Sequence, residues 1–151
     1  MTRDEWASAC DSRLAAREIK YFSALEISDV GRVNQGVVLS APSLCLMDNA
    51  YKLIEVLEWV REEGGVAPVL INSWYRDPDY NKVVGGVSNS MHLTLGAADI
   101  VKIGTSPAEV ADLIDTHPQA HLLGLGRYNT FTHVDIRGMI GRAAPARWNR
   151  T

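Results

Sequence analysis

The chain has 151 residues, 46% of them hydrophobic, enough for one buried core and short for a second, so residues 1–151 are expected to form a single domain. Lys and Arg number 15 against 18 Asp and Glu, a formal net charge of −3 without the basic cluster that tracks a phosphate backbone, so nucleic acid is not an expected partner. No run reaches the eighteen or so apolar residues of a membrane-spanning helix, which excludes membrane insertion as an expectation.

Thr2-Arg3-Asp4-Glu5-Trp6 carries charge where a secretory peptide needs an apolar stretch, so the chain is expected to be made in the cytoplasm without that signal. Thr2 and Glu5 form a capping-box pattern that opens a helix through about Ala16. Cys10 and Cys45 form no CxxC pair and are expected as free buried thiols, a single disulfide being the alternative. Val30 to Ser43, punctuated by Gly, Asn, Ser and Pro, reads as irregular chain with at most one strand at Val37-Val38-Leu39. From Asp48, Leu53, Val56, Leu57 and Val60 recur at helical spacing until Gly64-Gly65 ends the helix. Val69-Leu70-Ile71 reads as a buried strand that delivers Ser73-Trp74-Tyr75-Arg76 to a cleft, and Asp77 to Ser90 as a loop around a short helical turn. Ala98 to Val101 is expected as the next strand. Ser106-Pro107-Ala108-Glu109 caps a helix through about Thr116, and strands are expected within Leu122 to Tyr128 and Phe131 to Arg137.

Ser90-Met91-His92-Leu93-Thr94-Leu95-Gly96-Ala97-Ala98-Asp99, answered by Thr132-His133-Val134-Asp135, carries the chemistry. Two imidazoles and a carboxylate are the ligand set of a hydrolytic zinc ion that keeps one position open for water. Alternation puts Phe131, His133, Asp135 and Arg137 on one side of their strand, and turns Asp99 away from Ala98 and Ile100. Zinc held by His92, Asp99 and His133 is one reading, with Asp135 or a backbone carbonyl accepting from a ligand imidazole; hydrogen-bonded core or surface histidines, a capping or salt-bridged Asp99 and a surface Asp135 are the other, and spacing alone does not choose between them. His117 and His121, in a Pro-containing loop, are read as ordinary histidines.

These segments resemble the SxHxxGxAxD and HxD motifs of the zinc D-Ala-D-Ala carboxypeptidase family, which includes murein LD-endopeptidases and phage endolysins. Ser73 to Asn81 is similar to that family's SgYRsPeyN segment, Val84 to Ser90 to its VGGaxnS lead, and Arg147-Trp148 to a common ending. The resemblance implies an α+β fold, a mainly antiparallel sheet with flanking helices. It implies zinc (Zn2+) on His92, Asp99 and His133, with Arg76 binding a substrate carboxylate or carbonyl and Ser90 lining the site. The implied activity is hydrolysis of an amide bond in peptidoglycan stem peptides or crosslinks, as carboxypeptidase or endopeptidase. A phage-released lysin or virion-associated component fits the N-terminus best. A structural salt bridge from Arg76 to Asp77 or Asp79 is the other reading of that arginine. Tyr128 is a candidate for lining the cleft or steadying an oxyanion, with plain packing as its alternative.

Two positions depart from the motifs. Leu95 stands where Gly is expected, and Thr130 stands where several branches carry a catalytic carboxylate. Asp135 becomes the nearest candidate for the acid/base role, unless it orients a ligand instead. Thr130 is also the best argument for a rival of another class, a cell-wall-binding or virion structural module that keeps the fold but does not cut.

Overall fold

The computed structural model describes residues 1–151. In chain order it contains α1 (Arg3–Ala16), α2 (Ala24–Ile27), β1 (Val33–Asn34), β2 (Val37–Val38), α3 (Met47–Glu63), β3 (Val69–Ser73), α4 (Pro78–Val83), β4 (Ala97–Lys102), α5 (Pro107–Asp115), β5 (Gly124–Tyr128), β6 (Thr132–Asp135) and β7 (Ala146–Arg150). The architecture is α+β. No helix is long and apolar enough to cross a membrane.

The capping box at Thr2 forms: the Thr2 hydroxyl accepts from Glu5 N, and the Glu5 carboxylate accepts from Thr2 N. Trp6, Cys10 and Leu14 then recur every four residues along the buried side of α1. Cys10 is a buried free thiol whose pKa is pushed up to about 12, by burial and then by the neighbouring Asp11 charge. Cys45, expected buried as well, is exposed, because it sits in a 3-10 turn ahead of α3 with its sulfur against the Ser43 hydroxyl. The segment expected to hold one strand holds a two-strand hairpin, β1 with β2, turned by Gln35-Gly36, both at positive φ.

A five-stranded sheet carries the site, in the order β3-β4-β6-β5-β7. The first three pairings are antiparallel, as expected, but β7 runs parallel to β5, so the sheet is mixed. Ala98 and Ile100 of β4, Val134 of β6 and Leu125 of β5 alternate onto one side and are fully buried in a core of 28 residues that includes α1, α3 and α5 side chains. Asp99, His133 and Trp148 alternate to the other side. The core is anchored at its edge by Lys102, 1% exposed, whose ammonium donates to the carbonyls of Arg61, Gly65 and Ala67 at 3.0, 2.7 and 3.4 Å and so satisfies the C-terminal end of α3.

Candidate metal centre

The register of the sheet lines up one row of residues across all five strands. Ser73 is opposite Asp99, Asp99 opposite His133, His133 opposite Gly126, and Gly126 opposite Trp148. His92 enters from outside the sheet, on a 3-10 turn (Met91–Thr94) started by the Ser90 hydroxyl, which accepts from His92 N at 3.2 Å. That turn ends at Leu95, whose φ of +60° is the left-handed conformation that the motif's glycine would adopt without a side-chain penalty. Leu95 is fully buried, and its carbonyl accepts from the Trp74 indole at 2.8 Å. Trp74 therefore fixes both ends of the turn, since its own carbonyl faces His92 Nδ1.

His92, Asp99 and His133 converge, with one ligand atom of each lying within 4.8 Å of the others. His92 Nε2 is 3.3 Å, and His133 Nδ1 2.9 Å, from the same oxygen, Asp99 Oδ1. The hydrogen bond on the far side of the His92 ring assigns its tautomer. A carbonyl can only accept, so His92 places its proton on Nδ1 toward Trp74, leaving the Nε2 lone pair toward Asp99. His133 lies between two carboxylates, Nδ1 2.9 Å from Asp99 Oδ1 and Nε2 2.9 Å from Asp135 Oδ2, so without an ion it can carry a proton on both nitrogens, and with a cation bound Nε2 would donate to Asp135 and leave the Nδ1 lone pair for the ion. A neutral His92 thus turns its Nε2 lone pair to the Asp99 carboxylate, 3.3 Å away. That pair repels itself, and with Nδ1 of His133 freed of its proton the three atoms form the nitrogen and oxygen donor set that zinc takes.

Electrostatics separate the two histidines. Burial pushes His92 below its usual pKa and outweighs the attraction of Asp99, keeping the imidazole neutral. Burial acts in the same direction on His133, but Asp135 and Asp99 overcome it and raise that group. Both aspartates are held well below the usual carboxylate range. Burial opposes this in each case, and the hydrogen bonds from His133 and His92 to Asp99, and from Arg137 and His133 to Asp135, prevail. A bound cation would replace the positive charge that His133 otherwise draws in.

Arg76 donates through Nη2 to Asp99 Oδ2 at 2.8 Å and through Nε to Ser73 Oγ at 2.9 Å. Its partner is therefore the clustered aspartate, in place of Asp77 or Asp79, and its Nη1 makes no hydrogen bond within the protein. Asp77 instead caps α4, accepting from Tyr80 N at 2.8 Å. Asp135 lies on the opposite edge of the His133 ring from Asp99, fully buried, with its oxygens taken by His133, by Arg137 N at 3.0 Å, and by Arg137 Nε and Nη2 at 2.9 and 2.7 Å. Gly124 makes this possible, because a Cβ there would fall 2.4 Å from the Asp135 carboxylate. Thr130 is exposed in the turn between β5 and β6. His117 packs edge-on against Trp59, and His121 is exposed, both away from the cluster.

Sequence reasoning missed a role for Trp148. Its indole lies 5.1 Å from the His133 ring and donates at 3.1 Å to the Tyr128 hydroxyl, while the Tyr128 ring stacks on Phe131 at 4.3 Å. The usable signal was the Arg147-Trp148 pair, quoted above as an ending without a task.

Comparison with known families matches residues 20–135 to the family described as peptidase M15. The matched stretch holds His92, Asp99, His133 and Asp135 and stops before β7. No curated protein matches the chain.

Proposed function

The chain belongs to the peptidase M15 family of zinc peptidases, and from that premise we propose that it hydrolyses an amide bond in peptidoglycan stem peptides or their crosslinks at the cell wall. One observation carries the reading: ligand atoms of three buried side chains, His92, Asp99 and His133, lie within 4.8 Å of one another, with the His92 lone pair turned to the Asp99 carboxylate. Zinc bound there supplies Lewis-acid polarisation of an amide carbonyl and activation of water near neutral pH.

The rest is the work of this chain's own side chains. His92 is oriented by its bond to Trp74 and stays neutral, and with a cation in place of its Nδ1 proton His133 would be oriented as a ligand by Asp135. Arg76 occupies one oxygen of Asp99, so that the other faces the ion, and its free Nη1 is placed to take a carboxylate of the stem peptide. Ser90 acts through the backbone of the His92 turn. We assign Asp135 the orienting of His133 rather than proton transfer, because every approach to its oxygens is already taken and no water reaches a fully buried carboxylate.

The second reading, a cell-wall-binding or virion module that keeps the fold without cutting, is favoured by one observation, the exposed Thr130 at the position where a carboxylate would serve. Incubation of zinc-loaded protein with purified sacculi separates the two. Release of peptides by the unmodified protein, lost in His133→Ala with the fold retained, is the expected result. Binding to sacculi without any release would replace the hydrolase by the wall-binding module.

A further inference from the structure

The family match ends at Asp135, yet the row of residues that carries Asp99 and His133 runs on to Trp148 in the last strand, beyond the matched residues. β7 is fixed from its other side by Arg147, whose guanidinium bonds Asp115 Oδ1 at 2.8 Å and the carbonyls of Leu123 and Ala120 at 2.7 and 2.9 Å. Adjacent residues on a strand face opposite ways, so this anchor turns Trp148 onto the site face. There the indole lies flat over Gly126: a Cβ at that glycine would come 2.4 Å from Nε1 and 2.5 Å from Cε2. Arg137, which clamps Asp135, sits 5.1 Å from the same indole ring. One side chain therefore touches the His133 imidazole, the clamp behind it, and the Tyr128 hydroxyl.

The bond between Trp148 and Tyr128 has a direction. An indole N–H can only donate, so the phenol oxygen accepts, and the phenol's own hydrogen must point elsewhere. The Tyr128 hydroxyl has no acceptor within the protein. Its ring is held parallel to Phe131, at an interplanar angle of 15°, and remains half-buried on the face that carries His133. A donor with no partner, linked through Trp148 to the His133 ring, has the chemistry that a developing oxyanion requires.

We propose that Tyr128 hydrogen-bonds the oxygen of the scissile amide as negative charge builds on it, and that Trp148 is the positioning residue that aims it. The proton stays on the phenol throughout; the interaction is a hydrogen bond that strengthens toward the transition state. This rests on the hydrolase reading above and adds to it a donor, and an element, β7, outside the matched family region.

The test uses zinc-loaded full-length protein, a defined muropeptide substrate and a phosphinate pseudopeptide, whose charged oxygen imitates the oxyanion. Tyr128→Phe should lower kcat about 10²- to 10³-fold, as removal of one oxyanion donor does, with KM changed by less than about threefold. Phosphinate affinity measured by calorimetry should fall in parallel, with zinc content and urea midpoint unchanged. Trp148→Phe keeps a ring over Gly126 but removes the N–H, and should lower kcat about tenfold; in the Tyr128→Phe background it should add nothing, since the two act as one unit. A Tyr128→Phe protein with kcat and phosphinate affinity within twofold of the original would overturn the proposal while leaving the hydrolase standing. An unmodified protein that cleaves nothing would overturn both.

Discussion

At the scale of single residues, the site is governed by which atom of each ring carries a proton. Asp135 is the control point for His133: its carboxylate accepts from Nε2, so that with an ion bound the Nδ1 lone pair would lie on the Asp99 side. Asn at that position would keep size and shape but turn Nδ2, a donor, toward either the imidazole or Arg137. If it faces the ring, His133 must move its proton to Nδ1, into the place of the ion. Asp135→Asn is therefore expected to weaken zinc binding about 10- to 100-fold, the usual cost of losing a partner of a ligand histidine. Competition with a chromophoric chelator on the folded variant reads this directly, and an unchanged affinity would remove Asp135 from the orienting role. Leu95 poses a different question, since it holds φ +60° where glycine would be unstrained. The strain is about 1–2 kcal/mol, whereas emptying a fully buried leucine site costs about 2–5 kcal/mol. Burial wins, so Leu95→Gly should lower stability by roughly 1–3 kcal/mol in urea denaturation despite restoring the motif's residue.

Among the elements, α4 shows how the rim of the site is tied down, because its N-cap also bonds a distant segment. Asp77 accepts from Tyr80 N at 2.8 Å through one oxygen, and through the other from Ser40 N and Ser40 Oγ, both at 2.8 Å. Burial alone would raise its pKa, yet the hydrogen bonds from Ser40, Tyr80 and Asp79 prevail and lower it. A carboxyl depressed in the folded state contributes stability above its unfolded pKa of about 4, and that contribution is lost as pH falls through the folded value. Asp77→Ala should thus cost about 1–2 kcal/mol at pH 7, and the gap from the original protein should narrow on titration toward pH 2. A gap independent of pH would assign the loss to packing. The same element shows what a sequence carries openly. The caps at Thr2 and Ser106, the apolar spacing of α3 and the alternation that faces His133 and Asp99 to one side are local, so each was legible in its own few residues. β7 was not: Ala146-Arg147-Trp148-Asn149-Arg150 is mostly polar, and it pairs in parallel with a strand twenty residues back, without a hairpin turn to announce it. The left-handed Leu95 was hidden for a related reason, since only glycine and asparagine advertise that conformation. The four residues of α2 are too few for a helical period to register.

For the whole molecule, the sheet divides labour between its faces: one closes the core against α3 and α5, and the other gathers charged and polar groups that the core could not hold. His92, Asp99 and Asp135 are each less than a tenth exposed, so the repulsion of the His92 lone pair by Asp99, and of the two carboxylates on either side of His133, is felt in a medium that screens it poorly. The fold without its ion bears that cost, and an ion that binds only the folded chain offsets it. With free zinc at a hundred times its dissociation constant, the gain is about 2.7 kcal/mol, and for a chain of this length each kcal/mol moves Tm by about 2–4 °C. Calorimetric scans of zinc-loaded and chelator-treated protein should therefore differ by roughly 5–10 °C, the loaded form melting higher. In His92→Ala and His133→Ala that difference should collapse, because each removes one of the converging acceptors, while Trp148→Phe should retain it. A zinc-dependent rise that survives in both histidine variants would locate the ion elsewhere on the surface and leave the buried cluster without its cation.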